Sequence, residues 1–206
     1  MAKVTCKKRP DQAPGRPREF DPDRALDAAL KVFWSRGYEG ASLSELTRAM
    51  KISKPSLYAA FGDKAALFRK VVDRYVREQS VAWEHVLAGQ SARIAVEKIL
   101  TAAADSLTSA SGPHGCLLVQ AALSCTKESD CIKKELAARR ADSELLLRAR
   151  LQQAKSEGEL PPGLDVSALS RFYSTVLRGM SVEASGGATR ADLQNVIDFA
   201  MKAWPA

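Results

Sequence analysis

Histidine is scarce in this chain of 206 residues: only His85 and His114 are present to move protons near neutral pH. The patterns GxGxxG, GxSxG and HExxH and the phosphate-cradling P-loop are all missing, and no carboxylates are convincingly paired. The sequence therefore does not read as an enzyme and implies no cofactor. The four cysteines, Cys6, Cys116, Cys125 and Cys131, include no CxxC pair and make no disulfide framework. With His114 they also lack the short ligand spacing usual for zinc, so no metal site is expected. No stretch approaches the roughly 18 consecutive apolar residues of a membrane span, which excludes a transmembrane protein. The opening from Met1 to Arg9 is basic with no apolar block behind it. It does not read as a secretory signal, and a cytoplasmic chain is expected.

What is present is a globular composition, 46% hydrophobic and 27% charged, long enough to bury a core without staples. Residues 1 to 80 hold 17 Lys/Arg against 10 Asp/Glu, whereas residues 81 to 206 hold 14 against 14, so the first 80 carry the entire net charge of +7. Positive charge concentrated at one end is a footprint for a polyanion, nucleic acid before membrane, and the neutral remainder suggests a second task.

No convincing strand interrupts the chain, and the nine Pro and 12 Gly fall mostly at helix boundaries. Asp21 is a good N-cap and Pro22 a good first helical residue; Leu26, Ala29, Leu30 and Phe33 then follow helical spacing until Gly37 stops the helix. Ser42-Leu43-Ser44-Glu45 fits a capping box ahead of Leu46 and Met50. Ile52-Ser53-Lys54 is a tight connection, Pro55 restarts a helix as its first residue, and Leu57 and Phe61 face inward before Gly62 closes it. After Asp63 a long stripe runs from Leu67 toward Val86 and breaks near Gly89. Further helices are expected around Val96–Leu107, Cys116–Cys125, Ser129–Ser156, Asp165–Val182 and Arg190–Trp204. The fold class is all-α with about nine helices.

Ser42 through Phe61 has helix-turn-helix anatomy: two helices too short to stand alone, braced by longer neighbours. The turn sets the second helix so that its outward residues enter a major groove while Leu57 and Phe61 hold it to the core. Outward are Lys54, Pro55, Ser56, Tyr58 and Ala59. Lys54 and Ser56 can donate to bases or phosphates, the Tyr58 hydroxyl can reach a phosphate, and Lys64 lies beside the backbone.

The run Ala25 to Tyr75, with Phe33, Gly37-Tyr38, Ser42-Leu43-Ser44-Glu45-Leu46 and Ser53-Lys54-Pro55-Ser56-Leu57-Tyr58 through Phe68, resembles the DNA-binding domain of TetR-type transcriptional regulators. The resemblance implies an all-helical homodimer with a small N-terminal DNA-binding domain and a larger C-terminal domain that binds a ligand and releases a palindromic operator. It matches Tyr58 and Lys64 to the family's phosphate contacts and Ser42 to its helix-start contact. Ala60-Phe61-Gly62 departs from the His-Phe pair of many relatives. The division expected is a flexible basic arm (1–20), a helix-turn-helix DNA-binding domain (21–66) and a ligand-binding and dimerisation domain (67–206). An architectural DNA binder without a ligand switch is the alternative reading.

Arg16 and Arg18, within Gly-Arg-Pro-Arg, either lie in an A·T-rich minor groove or belong to a simple tether. If Cys116 and Cys125 share one helix, nine residues put them about 13 Å apart along its axis and half a turn out of phase, too far to pair. Cys125 and Cys131 can be brought together by the linker between them, with Cys131 near Lys127, Lys133 and Lys134 at a helix start, where a thiol's pKa falls. The cysteines are then either an oxidant or electrophile sensor or two small buried hydrophobes and a surface thiol. Two copies of the last two helices should form a four-helix bundle burying Phe172, Tyr173, Val176, Ile197 and Trp204. A small hydrophobic or electrophilic effector is expected in a pocket for which Trp83, Gln120 and Phe172 are candidates.

Overall fold

The computed structural model describes residues 20–87, 91–110 and 112–205. Among these described residues the chain forms nine α-helices and no strand. They are α1 (Pro22–Gly40), α2 (Leu43–Met50), α3 (Lys54–Phe61), α4 (Lys64–Leu87), α5 (Ala92–Leu107), α6 (Leu117–Leu123), α7 (Asp130–Ser156), α8 (Val166–Ser185) and α9 (Arg190–Lys202). The N-terminal arm with Arg16 and Arg18, and the break near Gly89, lie outside the described residues.

Short polar side chains start the helices. Asp21, Ser42, Ser53, Ser91, Asp165 and Thr189 each accept a hydrogen bond from a first-turn backbone N–H that has no intrahelical partner. The starts of α2 and α7 differ in detail. At α2 the box is half made: Ser42 takes the Glu45 N–H at 3.1 Å, but the Glu45 carboxylate turns to Arg36 at 3.3 Å. The reciprocal box occurs at α9, between Thr189 and Asp192. At α7 the Ser129 hydroxyl does not cap the helix; it accepts from the Thr126 N–H at 3.1 Å.

The buried residues form two clusters. The first joins Phe33 of α1, Leu46 of α2, Leu57 of α3 and Leu67 and Phe68 of α4 to Leu117 of α6 and Ile132 of α7. Phe33 and Tyr38 both meet the Phe68 ring edge-on, with centroids 4.9 and 5.1 Å apart. The second packs α5, the later turns of α7, α8 and α9 around Leu100, Leu151, Tyr173, Met180 and Leu193. The position 66/67 falls inside α4, and Leu67 and Phe68 pack with the helices before them.

The last two helices correct the faces expected from the sequence. Tyr173 is fully buried in the chain's own core with its hydroxyl donating to the Ala200 carbonyl at 3.1 Å, and Ile197 is buried beside it. Burial pushes the Tyr173 hydroxyl pKa up to about 12. Trp204 leans on Tyr173 with ring centroids 5.6 Å apart, and Val176 is half-buried. The apolar side chains turned outward are Phe172, Val182, Val196 and Phe199, the last 72% exposed. Both helices are apolar on more than one side, so periodicity alone does not separate the buried Tyr173 and Ile197 from the exposed Phe172.

Helical geometry breaks at Gly37, as the sequence leads one to expect, and α1 resumes beyond this kink as far as Gly40. With φ 69° and ψ 179°, Gly37 occupies backbone space essentially closed to other residues. A Cβ built there would lie 2.1 Å from the Ser124 Oγ, just past the end of α6. Gly37→Ala should lower unfolding free energy by about 2 kcal/mol or more, read by urea denaturation. Adding Ser124→Gly removes the collision but not the backbone strain, so the double variant should recover only part of the loss.

Candidate nucleic-acid interface

The connection between α2 and α3 is three residues long. Lys51 adopts the left-handed conformation (φ 54°, ψ 42°) and its N–H bonds to the Arg48 carbonyl at 3.2 Å, while the Ile52 N–H bonds to Thr47 at 3.1 Å. Ser53 then caps α3 by accepting the Ser56 N–H at 3.2 Å. Lys54 is the first residue of α3 and Pro55 the second, where its missing N–H has no intrahelical role. Leu57 and Phe61 are buried, and Lys54, Pro55, Tyr58 and Ala59 are exposed. Ser56 is half-exposed, with its hydroxyl 2.8 Å from that of Ser53. Ser42 stands exposed at the start of α2. The outward set read from the sequence is thus brought onto one accessible edge.

Lys64 begins α4 at the margin of this edge. Its Nζ donates to the Glu39 carbonyl at 3.3 Å and sits 4.6 Å from the Tyr38 ring centroid. Burial lowers its pKa and the Glu39 carboxylate opposes that fall. Gly62 and Asp63 make the corner between α3 and α4, Asp63 taking the Ala66 N–H at 2.7 Å.

Sequence reasoning did not single out Arg48, Lys51 and Lys70, which are exposed around the same edge. Lys70 reaches to 5.7 Å from the Phe61 ring. Their signal was the charge excess of the first 80 residues, which does not say which cations are already spoken for. The ion pairs decide that. Arg74 meets Asp23, Asp27 and Glu78, Arg69 grips Glu135, and Arg139 meets Asp73, all away from α3. Among the described residues, Arg48, Lys51, Lys54, Lys64 and Lys70 have no ion pair. Exposed pairs contribute little each to stability, but they cancel field, and among the described residues none involves these five cations.

A second feature is a half-open cavity of about 350 Å³ lined by residues of α4, α5, α6, α7 and α8. Trp83 lines it. Gln120 does not; its amide points at the Ser181 carbonyl, 3.4 Å away. Phe172 is on the outer surface and also outside it. Of the cysteines, Cys116 is in the wall and accepts a hydrogen bond from the Tyr75 hydroxyl at 3.4 Å. Burial, then the adjacent Cys116, pushes the Tyr75 pKa strongly upward. Cys125 is half-buried with its thiol on the Ala121 carbonyl at 3.2 Å, and Cys131 is exposed; all three are free thiols. Among the described residues no group of His, Cys, Asp and Glu is arranged for a metal, and no helix is long and apolar enough to cross a membrane.

The cavity wall is tied to α1. Gly115, just before α6, accepts the Trp34 indole N–H at 3.0 Å; Ser124 abuts Gly37; and the Thr126 hydroxyl bonds to the Glu39 carboxylate at 3.0 Å.

Residues 25–71 match the family described as bacterial regulatory proteins, tetR family, and residues 93–198 match a tetracyclin repressor-like C-terminal domain. The HTH-type transcriptional repressor ComR of Escherichia coli (strain K12) is 36% identical over 193 residues, 93% of this chain and 92% of its own. BdcR, a transcriptional repressor of the same organism, is 30% identical over 183 residues, 87% of each chain. A solved structure of a CifR cysteine mutant, a TetR family regulator complexed with 26-bp double-strand operator DNA, is similar with a TM-score of 0.89 and 44% identity. That match covers 92% of this chain and 100% of the other.

The α3 cap has a consequence for stability alone. Ser53→Ala removes the acceptor for the Ser56 N–H and should cost about 1 kcal/mol, read as an earlier denaturant midpoint. Ser53→Asp supplies another acceptor and should hold the midpoint near that of the parent.

Proposed function

Because the chain belongs to the TetR family of bacterial regulatory proteins, we propose that it is a repressor which binds a palindromic operator as a homodimer and lets go when a small molecule fills its cavity. Family membership makes it a DNA-binding transcriptional regulator rather than an enzyme. The observation that carries the finer reading is the accessible edge of α3, where five cations stand without ion pairs beside Ser42, Ser56 and Tyr58. In this reading residues 21–66 meet the DNA and 67–206 hold the ligand and the partner. Lys54, Pro55 and Ser56 face base edges, and Tyr58, Lys64 and Ser42 hold phosphates. The exposed Phe172, Val196 and Phe199 supply the dimer contact, Val196 and Phe199 being three residues apart on one face of α9.

The switch follows from the ties between α6 and α1. Cys116 and Leu118 belong to the cavity wall, and Gly115 and Ser124 at the two ends of α6 hold Trp34 and Gly37. A ligand that fits better with α6 displaced shifts α1, and with it the spacing of the two α3 helices of a dimer. Cys116 is the thiol placed to meet an electrophile or oxidant in the cavity; Cys125 and Cys131 lie outside it.

Two expected outcomes test this. Lys64→Ala should weaken binding to operator and scrambled duplex alike and lower the salt slope by about one unit, whereas Lys54→Ala should cost about 1 to 3 kcal/mol mainly on the operator. Anisotropy titrations at two salt concentrations separate them, and a protein that never prefers one duplex is an architectural binder instead. Phe199→Glu should leave a folded monomer at micromolar concentration by sedimentation velocity; a persistent dimer places the interface elsewhere.

A further inference from the structure

The cavity is not electrically neutral. Arg140, Arg178 and Glu144 all line it, and Glu144 is already engaged: Oε1 accepts from Arg171 at 2.7 Å and Oε2 from Arg178 at 3.0 Å. Arg140 donates Nη1 to the Leu118 carbonyl at 2.6 Å and has no ion pair among the described residues. Its neighbour Arg178 approaches the Arg140 backbone carbonyl, with Nη2 at 3.4 Å. Burial, and then the like charge of Arg178, lowers the Arg140 pKa. The wall therefore carries a desolvated guanidinium without a carboxylate, while Ala103, Leu107, Leu177 and Trp83 give the same cavity apolar sides.

We propose that the cavity takes an amphipathic anion, with an apolar body against Ala103, Leu107 and Leu177 and an oxyanion paired with Arg140. The inference rests on the ligand-responsive reading above and deepens it by naming the effector's chemistry. A planar guanidinium offers paired donors that match a carboxylate, and such charge-assisted bonds are stronger where the partners are partly buried. A neutral molecule of the same body leaves the cation unpaired, and an amine adds a like charge to it. The same guanidinium holds the Leu118 carbonyl of α6, so an anion that draws Arg140 toward itself acts directly on the helix tied to α1.

The test uses full-length protein and three probes with one eight-carbon body: octanoate, 1-octanol and octylamine. Binding is read by titration calorimetry, and operator release by fluorescence anisotropy. Octanoate should bind at least about tenfold more tightly than 1-octanol, with octylamine weaker still. Arg140→Met should bring octanoate down to the level of 1-octanol, and Arg140→Lys should retain most of the preference; thermal unfolding checks both folds. The comparison of the three probes on the parent protein stands even if a variant does not fold. Octanoate and 1-octanol binding alike, octanoate failing to bind at all, or its preference surviving Arg140→Met would each overturn the inference. Octanoate that binds through Arg140 yet leaves operator affinity unchanged supports the anion site and overturns the ligand switch.

Discussion

The contact between Gly37 and Ser124 is the constraint around which the two working parts are arranged. A side chain at position 37 would place its first carbon 2.1 Å from the serine hydroxyl, so α1 and the end of α6 approach as closely as they do only because one of them has none. The Trp34–Gly115 bond fixes the opposite end of α6 to the same helix. Two attachments about one short helix apart define a line rather than a point, and α6 cannot swing without turning α1 with it. In the proposed reading, this strip of contact is what links the cavity to the α3 edge.

Electrostatics sorts the rest of the surface. On α1, α4 and α7 several arginines are answered by carboxylates, as in Arg74 with Asp23 and Asp27, and Arg69 with Glu135. Among the described residues, Arg48, Lys51, Lys54, Lys64 and Lys70 around α3 form no ion pair. The same asymmetry recurs inside the molecule on a smaller scale, where Glu144 answers Arg178 and Arg171 but not Arg140. In the proposed reading, both places set an unpaired cation beside an accessible surface, the arrangement that attracts an anion.

Much of this was legible in the sequence because it is local. Asp21, Ser42, Pro55 and the Gly62-Asp63 corner act through bonds three or four residues long, and their effects are visible in any short window. The inward faces of α8 and α9 were not, because Tyr173 and Phe172 are adjacent aromatics and it is packing against residues distant in sequence, such as Leu100, Leu151 and Ile197, that buries Tyr173. Nor was Arg140 legible. It reads like Arg139 beside it, yet about 100° of helix puts one on Asp73 at the surface and the other in a cavity wall. Cavities are assembled from side chains far apart in sequence, and their volume is a remainder that no periodicity encodes.

The stack of Phe33, Tyr38 and Phe68 has a bearing on modularity. Phe68 belongs to α4, which also forms the cavity wall through Tyr75 and Trp83, and Leu117 and Ile132 complete the same core from farther down the chain. A fragment cut after residue 66 would lose the ring that two others lean on and expose the apolar underside of α1 to water. The DNA-facing helices are therefore not a detachable cassette. Any exchange of ligand-sensing halves between such proteins, by recombination or by design, has to carry the first two turns of α4 with the N-terminal part and rebuild the α6 surface that meets Gly37.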